Sequence, residues 1–114
     1  MAGNKGAGPR MTIQVQLVLR ALLAEPAQEM YGLQICEASG LPSGTIHPIL
    51  ARLEGMGWLE SHWEDVDPQE EGRPRRRYYK VTEDGAERAP IAMAEARTPV
   101  AALGLRPRLA GGLA

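Results

Sequence analysis

Apolar residues recur at helical spacing from the twelfth position onward. Val15, Val18, Leu19 and Leu22 fall at three-, four- and seven-residue spacing, with Leu23 beside them, which marks one buried face of a helix. Thr12 stands where an N-cap would. Glu25-Pro26 ends the pattern, because the residue before a proline is pushed out of the helical region. A second, shorter helix is expected from about Tyr31 to Ala38, with Leu33 and Ile35 flanking its inward face. Ser39-Gly40-Leu41-Pro42 then makes a turn. A third helix is expected from a Ser43 cap to about Gly57. Its apolar stripe is Ile46, Ile49, Leu50, Leu53 and Met56, and its opposite face carries Gly44, Thr45, His47, Pro48, Ala51 and Arg52. Pro48 deletes one early backbone hydrogen bond, so this helix is inferred from the stripe and not from propensity. Gly55 and Gly57 loosen its end.

The period then changes. Trp58 to Glu64 and Arg76 to Thr82 read as two strands rich in aromatics, with Tyr79-Lys80-Val81 alternating inward and outward. Between them, Asp67-Pro68 and Gly72-Arg73-Pro74 are turn chemistry, so the pair is a hairpin with a long tip. Thr82 is placed to cap a further helix, with Glu83, Asp84 and Glu87 near its positive end. Ala86 to Arg97 is helix-prone but interrupted by Pro90, and Thr98-Pro99 is a fresh helix start. All five aromatics lie between Tyr31 and Tyr79, so the core is expected to be anchored there. Three helices, a hairpin and a final helix form an α+β, mainly helical fold: a winged helix-turn-helix with a two-stranded wing hairpin and a short C-terminal helix. The expected organisation is a flexible, Gly-rich arm over residues 1–10, the winged domain over 11–85, and a C-terminal helical segment with a frayed tail over 86–114.

At 114 residues the chain holds one small domain. No apolar run approaches ~18 residues, so no membrane span is expected. The first ten residues, MAGNKGAGPR, lack a signal core. The lone Cys36 excludes an intramolecular disulfide framework and a multi-cysteine zinc site; it reads as a small buried hydrophobe, and a reducing cytoplasm is the expected compartment. His47 and His62 have no carboxylate at metal-ligand spacing from both, so no metal is expected. No nucleophile elbow, phosphate loop or acid–base pair stands out. The chain reads as a non-enzyme without a cofactor.

Net charge is −1, yet its distribution is uneven. Glu60 to Glu71 holds six acids and no Lys or Arg, and Arg73 to Lys80 holds five cations and no acid. A partner within a Debye length responds to these local fields more than to the total. Two constellations follow. Ser43, Gly44 and Thr45 put small side chains, hydroxyls and backbone N–H groups at the start of a helix of the size that the DNA major groove admits; the alternative is an ordinary capped helix. The tip Gly72-Arg73-Pro74-Arg75-Arg76-Arg77 offers planar guanidinium forks suited to phosphates and narrow minor grooves; the alternative is a solvated charge run paired with the preceding acids. The acidic run itself reads as a solvated outer strand and loop, or as a device that repels nonspecific phosphate.

Several runs resemble the PadR-like transcriptional regulators. They are Tyr31-Gly32-Leu33-Gln34-Ile35, then Ser43 through Glu54, then Gly57-Trp58-Leu59, and then Gly72-Arg73-Pro74-Arg75-Arg76-Arg77-Tyr78-Tyr79-Lys80-Val81-Thr82 with Gly85. The resemblance spans roughly Thr12 to Glu87. It implies a bacterial winged-helix repressor that binds palindromic operators as a homodimer. It further implies recognition by the helix from Ser43, wing arginines on the backbone or minor groove, and a phosphate contact from Tyr31. His47 stands where the family usually has Tyr, so a phenol–phosphate contact gives way to a weaker or pH-dependent one. Some members bind planar drugs between aromatics of the last helix; this sequence has no aromatic after Tyr79.

The expected partners are therefore double-stranded DNA and a second copy of the chain, with no membrane. Candidate DNA contacts are Tyr31, Ser43, Gly44, Thr45, His47, Pro48, Arg52, Arg73, Arg75, Arg76 and Arg77. Ile13 and Leu17 lie off the Val15–Val18–Leu22 stripe, leaving a second apolar face. With Ile91, Met93 and Ala94 they are the candidate dimer surface, unless that face packs on the chain's own C-terminal segment. Two rivals stand beside the repressor reading. One is a winged-helix protein-interaction module, which has no need of the wing charge. The other is a sensor holding an unidentified small-molecule effector in a dimer-interface pocket.

Overall fold

The computed structural model describes residues 10–104. Helix α1 (Ile13–Leu23) is followed by β1 (Met30–Tyr31), α2 (Gly32–Ser39) and α3 (Ser43–Gly55). Then come β2 (Leu59–Trp63), α4 (Pro68–Glu71), β3 (Arg77–Val81), α5 (Glu83–Ala94) and a 3-10 turn at Val100–Leu103. The three strands form one antiparallel sheet in the order β1-β3-β2. Of the expected arm only Arg10 is among the described residues, and of the expected frayed tail residues 105–114 lie outside them. No helix among the described residues is long and apolar enough to cross a membrane.

The helical periodicity does what it predicts. Val15, Val18, Leu19 and Leu22 of α1 are buried against Ile35 of α2 and against Ile46, Leu50 and Leu53 of α3. Thr12 caps α1 by accepting the Val15 N–H at 3.2 Å. Leu33 departs from expectation: it is 61% exposed. It lies two residues from Ile35, about 200° around the helix, so the two cannot share an inward face. The inward face of α2 is Ile35, Ala38 and Ser39.

Helix α3 starts one step differently from the expected Ser43 cap. Pro42 is the N-cap, with its carbonyl taking the Thr45 and Ile46 N–H groups, and Ser43 is the first helical residue. Pro48 sits inside the helix. The carbonyl it leaves without a helical donor belongs to Gly44, which is exposed to water.

The wing contains three corrections. Met30–Tyr31 forms a third strand against Tyr79 and Tyr78 of β3; two residues are too few to show an alternation. The tip is not all turn. Asp67 caps a helical turn by accepting the Gln69 N–H at 2.9 Å, Pro68 begins it, and Gly72 ends it in the left-handed region at φ 71°. Asp-Pro and Gly are the residues that start and stop helices as well as turns. Finally, of the five aromatics only Trp58 and Tyr79 enter the core. Trp58 and Tyr79 are buried, Tyr31 and Tyr78 are half-buried, and Trp63 is 56% exposed at the far end of β2. Aliphatic side chains of the three helices fill the centre.

The C-terminal helix begins at the expected Thr82 cap but, contrary to expectation, is not interrupted at Pro90. Thr82 caps it by accepting the Gly85 N–H at 3.0 Å, and it runs through an exposed Pro90 to Ala94. The start at Thr98-Pro99 opens a single 3-10 turn. Gln16 ties this segment to α1. Its fully buried amide donates to Met11 and Thr98 carbonyls at 3.1 and 3.0 Å and accepts the Val100 N–H at 2.7 Å. A polar residue inside an apolar stripe is tolerated there because its hydrogen-bonding capacity is used. Cys36 is half-buried at the edge of the core.

Candidate nucleic-acid interface

Helices α2 and α3 are joined by a tight turn. Gly40 closes α2 in the left-handed region at φ 77°, and the Ser39 hydroxyl accepts the Leu41 N–H at 3.2 Å. That turn presents one side of α3 to solvent: Ser43, Gly44, His47, Pro48, Ala51 and Arg52 are exposed, and Thr45 is half-buried. The His47 imidazole leans on the start of α2, where a Cβ on Gly32 would lie 3.5 Å from it. Gly32 follows Tyr31, the N-cap of α2, whose backbone N–H is held by the Gln34 side chain at 3.1 Å.

Strand pleating sorts the wing arginines. Successive side chains point to opposite faces, so Arg77, Tyr79 and Val81 turn towards the helices, and Arg76 and Tyr78 turn away. On the outer face the Arg76 guanidinium lies 4.2 Å from the centroid of the Tyr31 ring, a cation–π contact. Tyr31 meets Tyr78 edge-on at 5.5 Å, and Tyr78 stacks on His62 at 5.9 Å. His62 in turn contacts the Glu29 carboxylate at 2.6 Å. The Glu29 hydrogen bond, with help from the Trp63 carbonyl, raises the His62 pKa above its usual 6.5. Arg76, Tyr31, Gly32 and His47 thus form a continuous strip from the wing to α3.

The remaining arginines are engaged within the chain. Arg73 forks onto Glu64 at 2.7 and 3.0 Å, and Glu64 also takes the Arg76 backbone N–H at 3.1 Å. The Arg73 hydrogen bond, joined by that backbone N–H, pulls the Glu64 carboxyl down to about 2 and in return raises the Arg73 pKa. Arg77 Nε donates to the Ser61 hydroxyl at 2.9 Å, which donates to Glu54 on α3 at 2.6 Å, and Arg77 Nη2 reaches the same carboxylate at 3.4 Å. Among the described residues Arg75 uses only Nε, on the Val66 carbonyl at 2.9 Å, and is exposed. The sequence reading offered two fates for this run, DNA contact or pairing with the preceding acids. Arg73 follows the second, and Arg77 pairs with an acid the run itself does not contain.

Glu29, His62, Glu64, Glu54 and Ser61 were not among the sequence-predicted site residues; Glu64 holds Arg73, Glu54 and Ser61 hold Arg77, and Glu29 and His62 reach Tyr31 only through Tyr78. A signal existed for Glu64. The register Trp63↔Arg77 places the next residues, Glu64 and Arg76, opposite each other. Of the candidate dimer surface, Ile91 is 59% exposed and Ala94 is exposed, and Ile13, Leu17 and Met93 are half-buried. Ile13 and Ile91 line one surface groove with Met11 and Trp58, and Met93 and Ala94 line a second with Leu23 and Val100. Among the described residues no group of three His, Cys, Asp or Glu side chains is arranged to hold a metal ion.

A helix-turn-helix followed by a basic β-hairpin defines a winged-helix protein. The model of the PadR-like family of transcriptional regulators matches residues 18–90, and the chain belongs to that family. Its members are transcriptional regulators and not enzymes. Solved structures agree. The PadR family transcriptional regulator of Eggerthella lenta is 25% identical, with a TM-score of 0.56 and 73% of each chain covered. AbfR in its disulfide form is also 25% identical, with a TM-score of 0.58, over 74% of this chain and 52% of that one. Reduced AbfR bound to DNA shares the fold at 24% identity, with a TM-score of 0.57, over 72% of this chain and 54% of that one. The chain thus spans about half the length of AbfR. No curated protein matches it.

Proposed function

We propose that the chain is a sequence-specific DNA-binding repressor that occupies an inverted-repeat operator as a homodimer. The observation that carries this reading is the strip of Arg76, Tyr31, Gly32 and His47. It joins the exposed side of α3 to the wing in one surface, where base reading and phosphate contact can occur together. On this reading α3 lies in the major groove. Thr45 and Arg52 read base edges, and Ser43, Gly44, His47 and Pro48 allow and line the close approach. Tyr31, Arg75 and Arg76 contact the backbone or the flanking minor groove. Residues 11–85 form the DNA-binding unit and the segment from residue 86 joins the dimer. Reduced AbfR, which shares this fold, is bound to DNA, and this supports DNA as the partner.

Selection from a library of random duplexes tests the proposal. Enrichment of an inverted repeat with half-sites about one helical turn, ~34 Å, apart is expected. Recovery of no preferred sequence would remove the operator reading, and a single half-site would remove the dimer.

A further inference from the structure

Arg77 is one of five cations in the basic run, yet its guanidinium is directed away from the outer face. It meets Ser61 on β2 and Glu54 on α3, and its cation lies 5.3 Å from the Trp63 ring and 5.9 Å from the Tyr79 ring. The hydroxyl of Ser61 completes a closed triangle by donating to Glu54 at 2.6 Å. Each atom is used in the one way its chemistry allows. The guanidinium Nε–H donates to the Ser61 oxygen, the hydroxyl proton goes on to one carboxylate oxygen, and Arg77 Nη2 reaches the other. The three side chains come from α3, β2 and β3. Those are the element expected in the major groove and the two strands of the wing. The strand register explains the meeting. Ser61 pairs with Tyr79 and Trp63 with Arg77, so all four share one face of the sheet, the face turned towards α3.

We propose that Glu54, Ser61 and Arg77 form a positioning brace that sets the wing against the recognition helix. In this role Arg77 acts through α3 and not as a phosphate contact. The inference rests on the DNA-binding reading and adds to it the residues that fix the distance between its two contact elements. A free hairpin could swing about its base, and each swing would cost ordering on binding. A brace that spans α3, β2 and β3 holds the outer-face arginines at a fixed offset from the groove, so only operators of matching shape receive both contacts.

Two substitutions separate this role from plain electrostatics because their signs are opposed. Glu54→Gln removes a negative charge, so by Coulomb attraction alone it tightens DNA binding. The brace predicts the reverse, a roughly three- to tenfold loss for the selected operator, the size of a lost hydrogen bond to a charged group at a partly exposed site. Arg77→Lys keeps the charge but cannot supply Nε–H and Nη2–H together. A phosphate contact survives that change, and the brace does not. Ser61→Ala, a small change on an ordinary strand surface, is the third arm and is expected to match Glu54→Gln without adding to it in the double variant. The salt slope of all three is expected to equal that of the wild type, since no phosphate contact is lost. Operator affinity is measured on the full chain by fluorescence anisotropy over a salt series, with circular dichroism of each variant. Wild-type binding with a tolerated Arg77→Lys, a flattened slope in Arg77→Lys, or tighter binding by Glu54→Gln overturns the brace alone. Wild-type protein that retains no duplex overturns the DNA-binding reading and this inference with it.

Discussion

The Arg76 guanidinium lies over the face of Tyr31 at 4.2 Å from the ring centroid. One residue belongs to the wing and the other caps α2, the first helix of the helix-turn-helix. The contact fixes the cation over the ring while Arg76 remains partly exposed, so a phosphate could be met with little reordering of the side chain. Arg73, three residues earlier, is spent on Glu64. The run of arginines is therefore not a uniform patch.

That partition predicts salt dependence. Two wings each presenting Arg75 and Arg76 neutralise about four phosphates, for a log–log slope of roughly −4 from the wings. Arg76→Ala is expected to flatten the slope by about 2 in a dimer and to weaken all sequences alike. Arg73→Ala is expected to leave it unchanged. Equal flattening by both, measured by titration at several salt concentrations, would show that Arg73 leaves Glu64 for DNA.

The partition was partly legible in the sequence. Alternation along Arg76-Arg77-Tyr78-Tyr79-Lys80-Val81 follows from the strand period, and only one parity can face the core. A dense charge run hides this, because charge suggests a single solvated face. The apolar stripes of α1 and α3, both strands and the caps at Thr12 and Thr82 were readable because each has a local cause. What was not readable has a tertiary cause. Strand β1 exists only through its pairing with Tyr78 and Tyr79. Gln16 is buried only because the C-terminal segment returns to meet it. Glu54 meets Arg77 from 23 residues away. Pro90 looks like a break, yet α5 passes through it with its packing face intact, since Ala89 is fully buried and Pro90 is exposed.

The Glu64–Arg73 fork predicts a pH response of the wing. Glu64 has its pKa lowered from 4.5 to about 2. A depressed carboxylate stabilises the folded state above its unfolded value and loses that contribution as pH falls through its folded value. The wing is therefore expected to lose order between about pH 4.5 and 2, and Glu64→Gln to lack that step. Amide exchange of β2 and β3 followed against pH checks it. A wild-type wing whose protection is flat across that window would show that the fork does not hold the hairpin.

Gly85 carries a stability prediction of a different kind. It lies in the first turn of α5, where a Cβ would sit 2.3 Å from the Trp58 carbonyl oxygen. That carbonyl accepts the Thr82 N–H at 3.0 Å, and the Thr82 hydroxyl donates to the Gly57 carbonyl at 2.6 Å. The helix start and the beginning of β2 are thus tied on both sides, and neither backbone can yield cheaply. Gly85→Ala is expected to destabilise the fold by on the order of 3 kcal/mol, against the gain in helix propensity that Ala would bring at an open site. Urea unfolding of both proteins decides, and a stabilised variant would show that α5 can move away from β2.

Dimerisation decides whether the winged unit can act on an operator. One recognition helix and one wing make few contacts, and two copies related by a two-fold axis double them and set the half-site spacing. The apolar residues left at the surface supply the material. Ile91 is 59% exposed on α5 and shares a groove with the half-buried Ile13 of α1, and Leu17 lies one helical turn along from Ile13. Fully burying an exposed side chain such as Ile91 against a partner yields at most about 1.5–3 kcal/mol, with less from the half-buried Ile13 and Leu17, and an apolar patch left in water is an aggregation hazard. Sedimentation of the full chain is expected to give a dimer. Leu17→Glu and Ile91→Glu are each expected to give folded monomers with much weakened operator binding. Ile91→Glu is the safer variant for folding, because its side chain is already largely in water. A folded Ile91→Glu dimer would move the interface off α5, a folded Leu17→Glu dimer would move it off α1, and a monomeric wild type would end the homodimer proposal.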